Sequence, residues 1–375
     1  MSKIQVGILG ATGAAGLEFV KALADHPVFE IAEFYASERS AGKTLEEACV
    51  LEEVKLLPER IRKKVVMNIN KADTGLGLLC SALPSEVAKE VEGKCAQHTP
   101  VISTTSAYRY ENDVPVIITE INADHYKLLE EQKYRGWKGW IAPGPNCTTV
   151  GLVMSLAPLY RAGEIERVIM SSYQSVSGGG AGLIEKWRTE RKPGLPEPEH
   201  LNEPATNPSL ALDGNVIGYI DKEEGKVRKE TLKILGAYDR GIIPAGFLID
   251  CTCVRVPTLR GHFETVFVEL SGKVSPERVK EIYAEFNDKC AREYGDLYSS
   301  PKQTIVVLDR PPQPRFDSFI HGGMSAVIGR IEQTDVFGGL FNSGIKYEVL
   351  SNNTERGAAK GMVHVAEYLH KQGIL

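Results

Sequence analysis

Apolar residues over the first 146 positions come in short unbroken runs, the pattern of strands buried on both faces, separated by stretches of helical spacing. The run at 3–10 predicts a first strand and the spacing over 17–25 a helix after it. Strands are expected again at 30–36, within 75–85, at 100–103 and at 114–118, with helices at 86–97 and 122–132. Such alternation predicts a doubly wound parallel sheet. Beyond residue 150 the pattern changes. The apolar run 150–157 predicts a buried helix with Cys147 in its first turn, and longer strands follow at 168–177, 249–257 and 265–270. Helices are expected at 228–235 and 357–369, and at 275–294, where Ser275 suits an N-cap and Pro276 the first helical position. Residues 187–212, rich in proline, charge and asparagine, read as an exposed excursion. A chain of 375 residues is long for one core, and the change of pattern puts a domain boundary near Cys147.

Composition narrows the classes of function. Apolar residues make up 42% and charged residues 25%, ordinary values for a globular enzyme. A net charge of −5 and a pI near 6.0 argue against a nucleic-acid footprint. The seven cysteines are scattered and lack metal-ligand spacing, so neither a disulfide framework nor a metal site is expected, and a reducing compartment is favoured. Cys251 and Cys253 alternate along one strand and read as buried thiols. No apolar run approaches the ~18 residues that span a membrane, and the N-terminus runs straight into a strand, so the expectation is a cytoplasmic protein.

Five stretches carry candidate chemistry. Between the first strand and helix, Gly10, Gly13 and Gly16 recur every three residues, with Thr12, Ala14 and Ala15 among them. Glycines there permit a tight turn and close backbone approach, and the helix N-terminus receives a pyrophosphate. The second strand runs out into Ser37, Glu38, Arg39, Ser40 and Lys43, where hydroxyls and cations suit a ribose 2′-phosphate and so favour NADP. Ser81 and Leu83 end a further strand and face the same crevice. Arg109, past a strand end amid hydroxyls, either holds an anion or is a solvated surface arginine. Finally, Pro145-Asn146-Cys147 opens the apolar helix. Read locally, Cys147 is either a nucleophile whose thiolate the helix N-terminus favours, or a small buried cysteine.

Further pieces join these in order along nearly the whole chain: Ser106-Ala-Tyr-Arg109, Gln174-x-Val-Ser177-Gly178, Glu223-Glu224-x-Lys226, Arg255-Val-Pro-x-x-x-Gly261-His262-x-Glu264 and Asn353-Thr-x-Arg356-Gly357. Together with the glycine turn and Pro145-Asn146-Cys147, they resemble the aspartate-β-semialdehyde dehydrogenase family, in the branch typical of archaea and fungi. The resemblance implies an α/β fold: a Rossmann-type NADP-binding domain, residues 1–146 and 353–375 with the last helix returning to it, and an α+β catalytic and dimerisation domain, 147–352. It implies Cys147 as nucleophile, His262 as acid/base, Gln174 and Asn146 as further catalytic residues, and Arg255 on the substrate carboxylate. Arg109 and Lys226 would take inorganic phosphate and Glu223 or Glu224 the substrate amino group. Ser177, Gly178 and Asn353 would lie by the cofactor, and the assembly would be a homodimer or homotetramer.

The implied reaction is thiol addition to an aldehyde, hydride loss to NADP, and attack of phosphate on the thioester. The chain departs from the family pattern at Gly144, at Thr104 and Thr105, and over 187–212. The nearest rival is therefore a reductase of a dicarboxylic acyl-CoA such as malonyl-CoA. A reading of another class is a non-catalytic NADP-binding sensor or scaffold, which predicts loss of the nucleophile or base; both are present in the sequence.

Overall fold

In the computed structural model the described residues are 3–72, 75–163, 165–191, 211–338 and 343–375. The first sheet is built from β1 (Ile4–Leu9), β2 (Phe29–Ala36), β3 (Val66–Asn68), β4 (Leu78–Ser81), β5 (Val101–Ser103) and β6 (Ile141–Pro143). All its pairings are parallel and its order is β3-β2-β1-β4-β5-β6. The order reverses between β1 and β4, and the crevice beyond the strand ends at such a reversal is where open α/β sheets take ligands. Helices α1 (Ala14–Leu23) and α2 (Ser85–Ala96) connect strands within this sheet. The expected sheet is therefore present, with helix α1 starting earlier than 17 because Gly13 already acts as its N-cap.

Two expectations in this half fail. Residues 114–118 are extended and buried but pair with no strand. Side chains satisfy the backbone instead: Lys233 Nζ donates to the Val114 carbonyl, Asn122 Nδ2 to that of Val116, and the Ile118 N–H donates to Asn122 Oδ1. The helix expected at 122–132 is a string of short turns over 119–135.

The second sheet follows α3 (Cys147–Ala162). Its strands are β7 (Ile165–Gln174), β8 (Leu248–Arg255), β9 (His262–Leu270), β10 (Ile305–Val307), β11 (Ala326–Thr334) and β12 (Ser343–Ser351), in the order β8-β7-β9-β12-β11-β10. The pairing is mixed, with β8 parallel to β7, and β9 antiparallel to both β7 and β12. The connections include α4 (Gly180–Glu190), α5 (Glu223–Ile234) and α6 (Pro276–Tyr294). Ser275 caps α6 by accepting from the Arg278 N–H, and Pro276 is its first residue, as expected. Helices α3, α5 and α6 bury one face of this sheet in a core with Leu152, Leu156, Val227, Tyr283 and Val266. The other face leaves Ile169, Tyr173 and Leu248 exposed. Of the excursion expected at 187–212, positions 192–210 lie outside the described residues, and 187–190 continue α4.

The last helix, α7 (Ala359–Lys371), leaves the second sheet and returns to the first. Its Met362, Val363, Ala366 and Leu369 share a core with Val6, Ile8, Phe19 and Phe34.

Candidate active site

Cys147 opens α3 because Asn146 caps it: Asn146 Oδ1 accepts from the N–H groups of Thr148 and Thr149 at 2.9 and 3.2 Å. Cys147 Sγ lies 3.2 Å from Nε2 of His262, the first residue of β9. The main-chain N–H of Ser175 is 3.1 Å from the other ring nitrogen, Nδ1. An amide N–H can only donate, so Nδ1 is the acceptor and the ring proton sits on Nε2, facing the sulfur. Burial, helped by the nearby Arg255 charge, drops the His262 pKa to about 3, so the ring is neutral. Burial and the Glu223 carboxylate push the Cys147 thiol up to about 12, against the pull of Arg255 and Arg109. The thiolate expected from the helix N-terminus is therefore not the resting state; desolvation outweighs the helix dipole and both cations.

Beside this pair lies a cavity of about 450 Å³, lined by Cys147 with Arg109, Arg255, Lys226, Glu223 and Asn353; His262 itself is fully buried behind the sulfur. Arg255 ends β8, and its Nη1 donates to the Ser175 carbonyl at 2.8 Å. Arg109 is buried; Nη1 pairs with Glu230 at 3.3 Å, Nη2 donates to the Thr104 carbonyl at 2.9 Å, and Nε has no partner among the described residues. Lys226 pairs with Glu223 at 3.2 Å, and Glu223 accepts from Asn146 Nδ2 at 2.7 Å. Glu224 turns the other way and accepts from the Cys253 N–H, so of the two acids only Glu223 faces the cavity. Asn353 is fixed by Ser175, Ser177 and the Gly261 N–H. A Cβ on Gly178 would stand 2.7 Å from Arg255 Nη1 and 3.1 Å from the His262 ring, so only glycine leaves both in place.

Three expected residues sit differently. Gln174, the last residue of β7, is buried with Nε2 donating to Ser172 Oγ at 3.3 Å, and is not among the residues lining the cavity. Asn146 uses its side chain on the helix cap and on Glu223, and its main-chain N–H on Glu230, which makes it a holder of the turn. Ser81 is fully buried, donating to Glu92 at 2.6 Å, and does not line either cavity.

A second cavity, about 970 Å³, is lined by Gly10, Thr12, Gly13, Ser37 and Leu83, while Ala14, Ala15, Ser177 and Gly178 line the first; Leu83 lines both. The two therefore adjoin at Leu83, along one trough-like side of the first sheet's strand ends. Gly10 has φ +80°, and a Cβ there would lie 2.6 Å from the Ala82 carbonyl oxygen; a Cβ on Gly16 would lie 2.1 Å from that of Gly10. The turn needs both glycines, and it leaves the α1 N-terminus open to a pyrophosphate. Arg39 is exposed just past β2 and makes no hydrogen bond or ion pair among the described residues, while Ser40 is buried. These residues fit a dinucleotide cofactor.

Residues 5–129 match the semialdehyde dehydrogenase NAD-binding domain and residues 156–355 the semialdehyde dehydrogenase dimerisation domain. The chain belongs to the semialdehyde dehydrogenase family. It is 36% identical to an aspartate-semialdehyde dehydrogenase of Methanothermobacter thermautotrophicus, over 98% of this chain and 99% of that one. The crystal structure of aspartate semialdehyde dehydrogenase with NADP from Candida albicans superposes with a TM-score of 0.82 at 30% identity, covering 100% of both chains. A malonyl-CoA reductase (NADP) of Metallosphaera sedula is also similar, at 31% identity over 99% of this chain and 98% of that one.

Within the family frame, the structure adds residues that the sequence patterns leave unmarked. Ser175 sets the His262 tautomer. Glu92, buried, accepts from Ser81, Ser103 and Thr105, and so fixes the hydroxyl loop beside Arg109; burial raises its pKa. Glu230 joins Arg109 to Asn146. One signal for Glu230 is present in sequence: it lies two turns after Glu223 on the same helix face.

Proposed function

We propose that the protein interconverts L-aspartate semialdehyde and L-4-aspartyl phosphate, using NADP and inorganic phosphate, through a thioester on Cys147. The observation that carries this is the 3.2 Å contact of Cys147 Sγ with His262 Nε2, with Cys147 opening onto a cavity walled by Arg109, Arg255 and Lys226. A dicarboxylate-sized substrate and a phosphate together need several fixed cations, and Arg offers the planar fork that a carboxylate matches. Arg255, beside His262, takes the substrate carboxylate. Arg109, which lines the cavity, takes phosphate with Lys226. Glu223 meets the amino group.

In this reading Cys147 loses its proton to solvent and adds to the aldehyde carbon. Nε2–H of His262 then donates to the carbonyl oxygen as charge builds on it, and holds that alkoxide. NADP, when bound, accepts the hydride that leaves the same carbon. Arg109 holds phosphate for attack on the thioester, which frees the Cys147 sulfur. Gly178 keeps Arg255 and His262 close without a side chain between them. The trough over Gly10–Gly16, with Ser37, Arg39 and Ser40 beyond β2, is the NADP-binding half, formed by residues 1–146 and 353–375; the catalytic half is 147–352. The open sheet face with Ile169, Tyr173 and Leu248 supports a homodimer or a homotetramer. The seven free cysteines, and the lack of any helix among the described residues that is long and apolar enough to cross a membrane, support a cytoplasmic location.

A malonyl-CoA reductase activity is the second reading, favoured by the similar Metallosphaera enzyme. The two separate in one experiment. NADPH formation from aspartate semialdehyde should require phosphate, with arsenate as a substitute, whereas malonyl-CoA should drive little NADPH oxidation. Phosphate-independent turnover, or faster turnover with malonyl-CoA, reverses the assignment.

A further inference from the structure

Helix α5 presents Glu223, Lys226, Glu230 and Lys233 along one face, each three or four residues from the next. Glu223 and Lys226 belong to the cavity wall described above. The other two reach across to the segment that carries Arg109. Lys233 Nζ donates to the carbonyls of Arg109, Glu111 and Val114 at 2.7, 3.0 and 2.8 Å. Glu230, with no exposed surface, divides its carboxylate between two partners. Oε1 accepts from Arg109 Nη1 at 3.3 Å and from the Tyr110 hydroxyl at 3.0 Å. Oε2 accepts from the main-chain N–H of Asn146 at 2.6 Å, one residue before the nucleophile.

We propose that Glu230 is a positioning residue for both half-reactions: one buried carboxylate, held on α5, fixes the guanidinium of Arg109 and the turn that delivers Cys147 in a single geometry. This deepens the reading above and rests on it for the role of Arg109. The chemistry demands a carboxylate in particular. All three partners are donors, so each oxygen must accept, and a glutamine would turn its NH₂ against one of them. With two donors on Oε1 and one on Oε2, the amide carbonyl goes to Arg109 and Tyr110, and the NH₂ faces the Asn146 N–H. An aspartate keeps both acceptors but is one methylene shorter, too short to span the two arms. Without the carboxylate, Arg109 also loses its ion pair with α5, the one it makes among the described residues.

The test compares wild type, Glu230→Gln and Glu230→Asp. In the absence of phosphate, the single-turnover burst of NADPH from aspartate semialdehyde reads acylation of Cys147; it should slow about tenfold or more in both variants, the size expected for losing a charge-assisted contact. KM for phosphate should rise by a similar factor in Glu230→Asp, and NADP affinity should stay within about twofold of wild type. Adding Arg109→Ala to Glu230→Asp should raise the phosphate KM no further than Arg109→Ala alone, because both act on one contact. Alkylation of Cys147 by iodoacetamide, which needs no substrate, should slow about threefold in Glu230→Gln. It reads the Asn146 arm even if wild type proves indifferent to phosphate, an outcome that would sink the acyl-phosphate reading and leave this arm standing. A purely structural role predicts a lower melting temperature with unchanged burst rate, phosphate KM and alkylation; that result overturns the proposal. Loss of soluble protein in both variants overturns it too.

Discussion

A thiol half-buried at a helix N-terminus feels opposed fields. The free N–H groups of α3 and the two arginines favour the thiolate, while removal from water and Glu223 favour the thiol; burial wins and sets Cys147 near 12. Alkylation of Cys147 by iodoacetamide should therefore climb about tenfold per pH unit from 7 to 10 with no plateau. A plateau reached below about pH 8 would show a standing thiolate and refute this balance. Gly178 gives a second residue-level outcome. Gly178→Ala forces a methyl group against Arg255 and the His262 ring. The activity kcat should fall by about tenfold to a hundredfold while NADP affinity holds, since a small misplacement of reacting groups is costly; an active alanine variant would show that the two side chains have room to yield. The residues with a motif behind them, Cys147, His262, Arg255 and Arg109, could be named in advance because their types are tied to the proposed chemistry, and the fold brings them together around the Cys147 sulfur. Asn146 and Ser81 were less legible, because a side chain's partner depends on its neighbours in space: Glu223 and Glu92 stand where no local spacing could place them.

Among the elements, β9 sets a problem of its own. His262 at its start and Glu264 two residues on share a face of the sheet. Neither carboxyl oxygen of Glu264 has a partner among the described residues, and complete burial raises its pKa well above the carboxylate range. The proton is held in the fold and released on unfolding, so the unfolded chain binds fewer protons above about pH 4.5. Stability from this group is then full below that pH and declines as pH rises toward the folded pKa. Glu264→Gln removes the titration, so its melting temperature should gain on wild type between pH 5 and 8, with the gap closing near pH 4. Parallel pH curves for the two proteins would mean Glu264 is ionised in the fold. Element types were readable wherever hydrophobic period and punctuation agreed, as for β1, α1, β2 and the Ser275-Pro276 start of α6. The period alone misled at 114–118, an apolar run whose backbone is bonded by Lys233 and Asn122 side chains. For β3, β6 and the strands β10 to β12 the pattern gave no expectation; β3, β6 and β10 are each three residues long, too short for an alternation to declare itself.

At the scale of the whole molecule, the two sheets are joined by a buried ionic cluster. Arg356 makes a bidentate pair with Glu120, His364 stands 3.4 Å from the same carboxylate, and Glu367 accepts from the Ser299 N–H and contacts His26 at 2.9 Å. Burial opposes the charge on Glu120, yet Arg356 and His364 hold its carboxyl far below the usual range. Glu120→Gln strands a buried guanidinium, and chemical denaturation should show a loss of about 3–5 kcal/mol; a loss below about 1 kcal/mol would mean that water reaches the cluster. The two-unit plan was legible from the change of pattern near Cys147, but nothing in the period of 357–369 says which sheet that helix joins. Its destination has a temporal meaning. Chains are made from the N-terminus, and an early unit ordinarily folds while later ones are still being synthesised. Here the groove of β1 and α1 that receives Met362, Val363, Ala366 and Leu369 stays open until those residues emerge, and Asn353 and Gly357, which complete the cavity wall, arrive just ahead of them. The NADP trough and the thiol site should thus become competent together and late, so that an unfinished chain holds the reactive cysteine without a finished pocket around it.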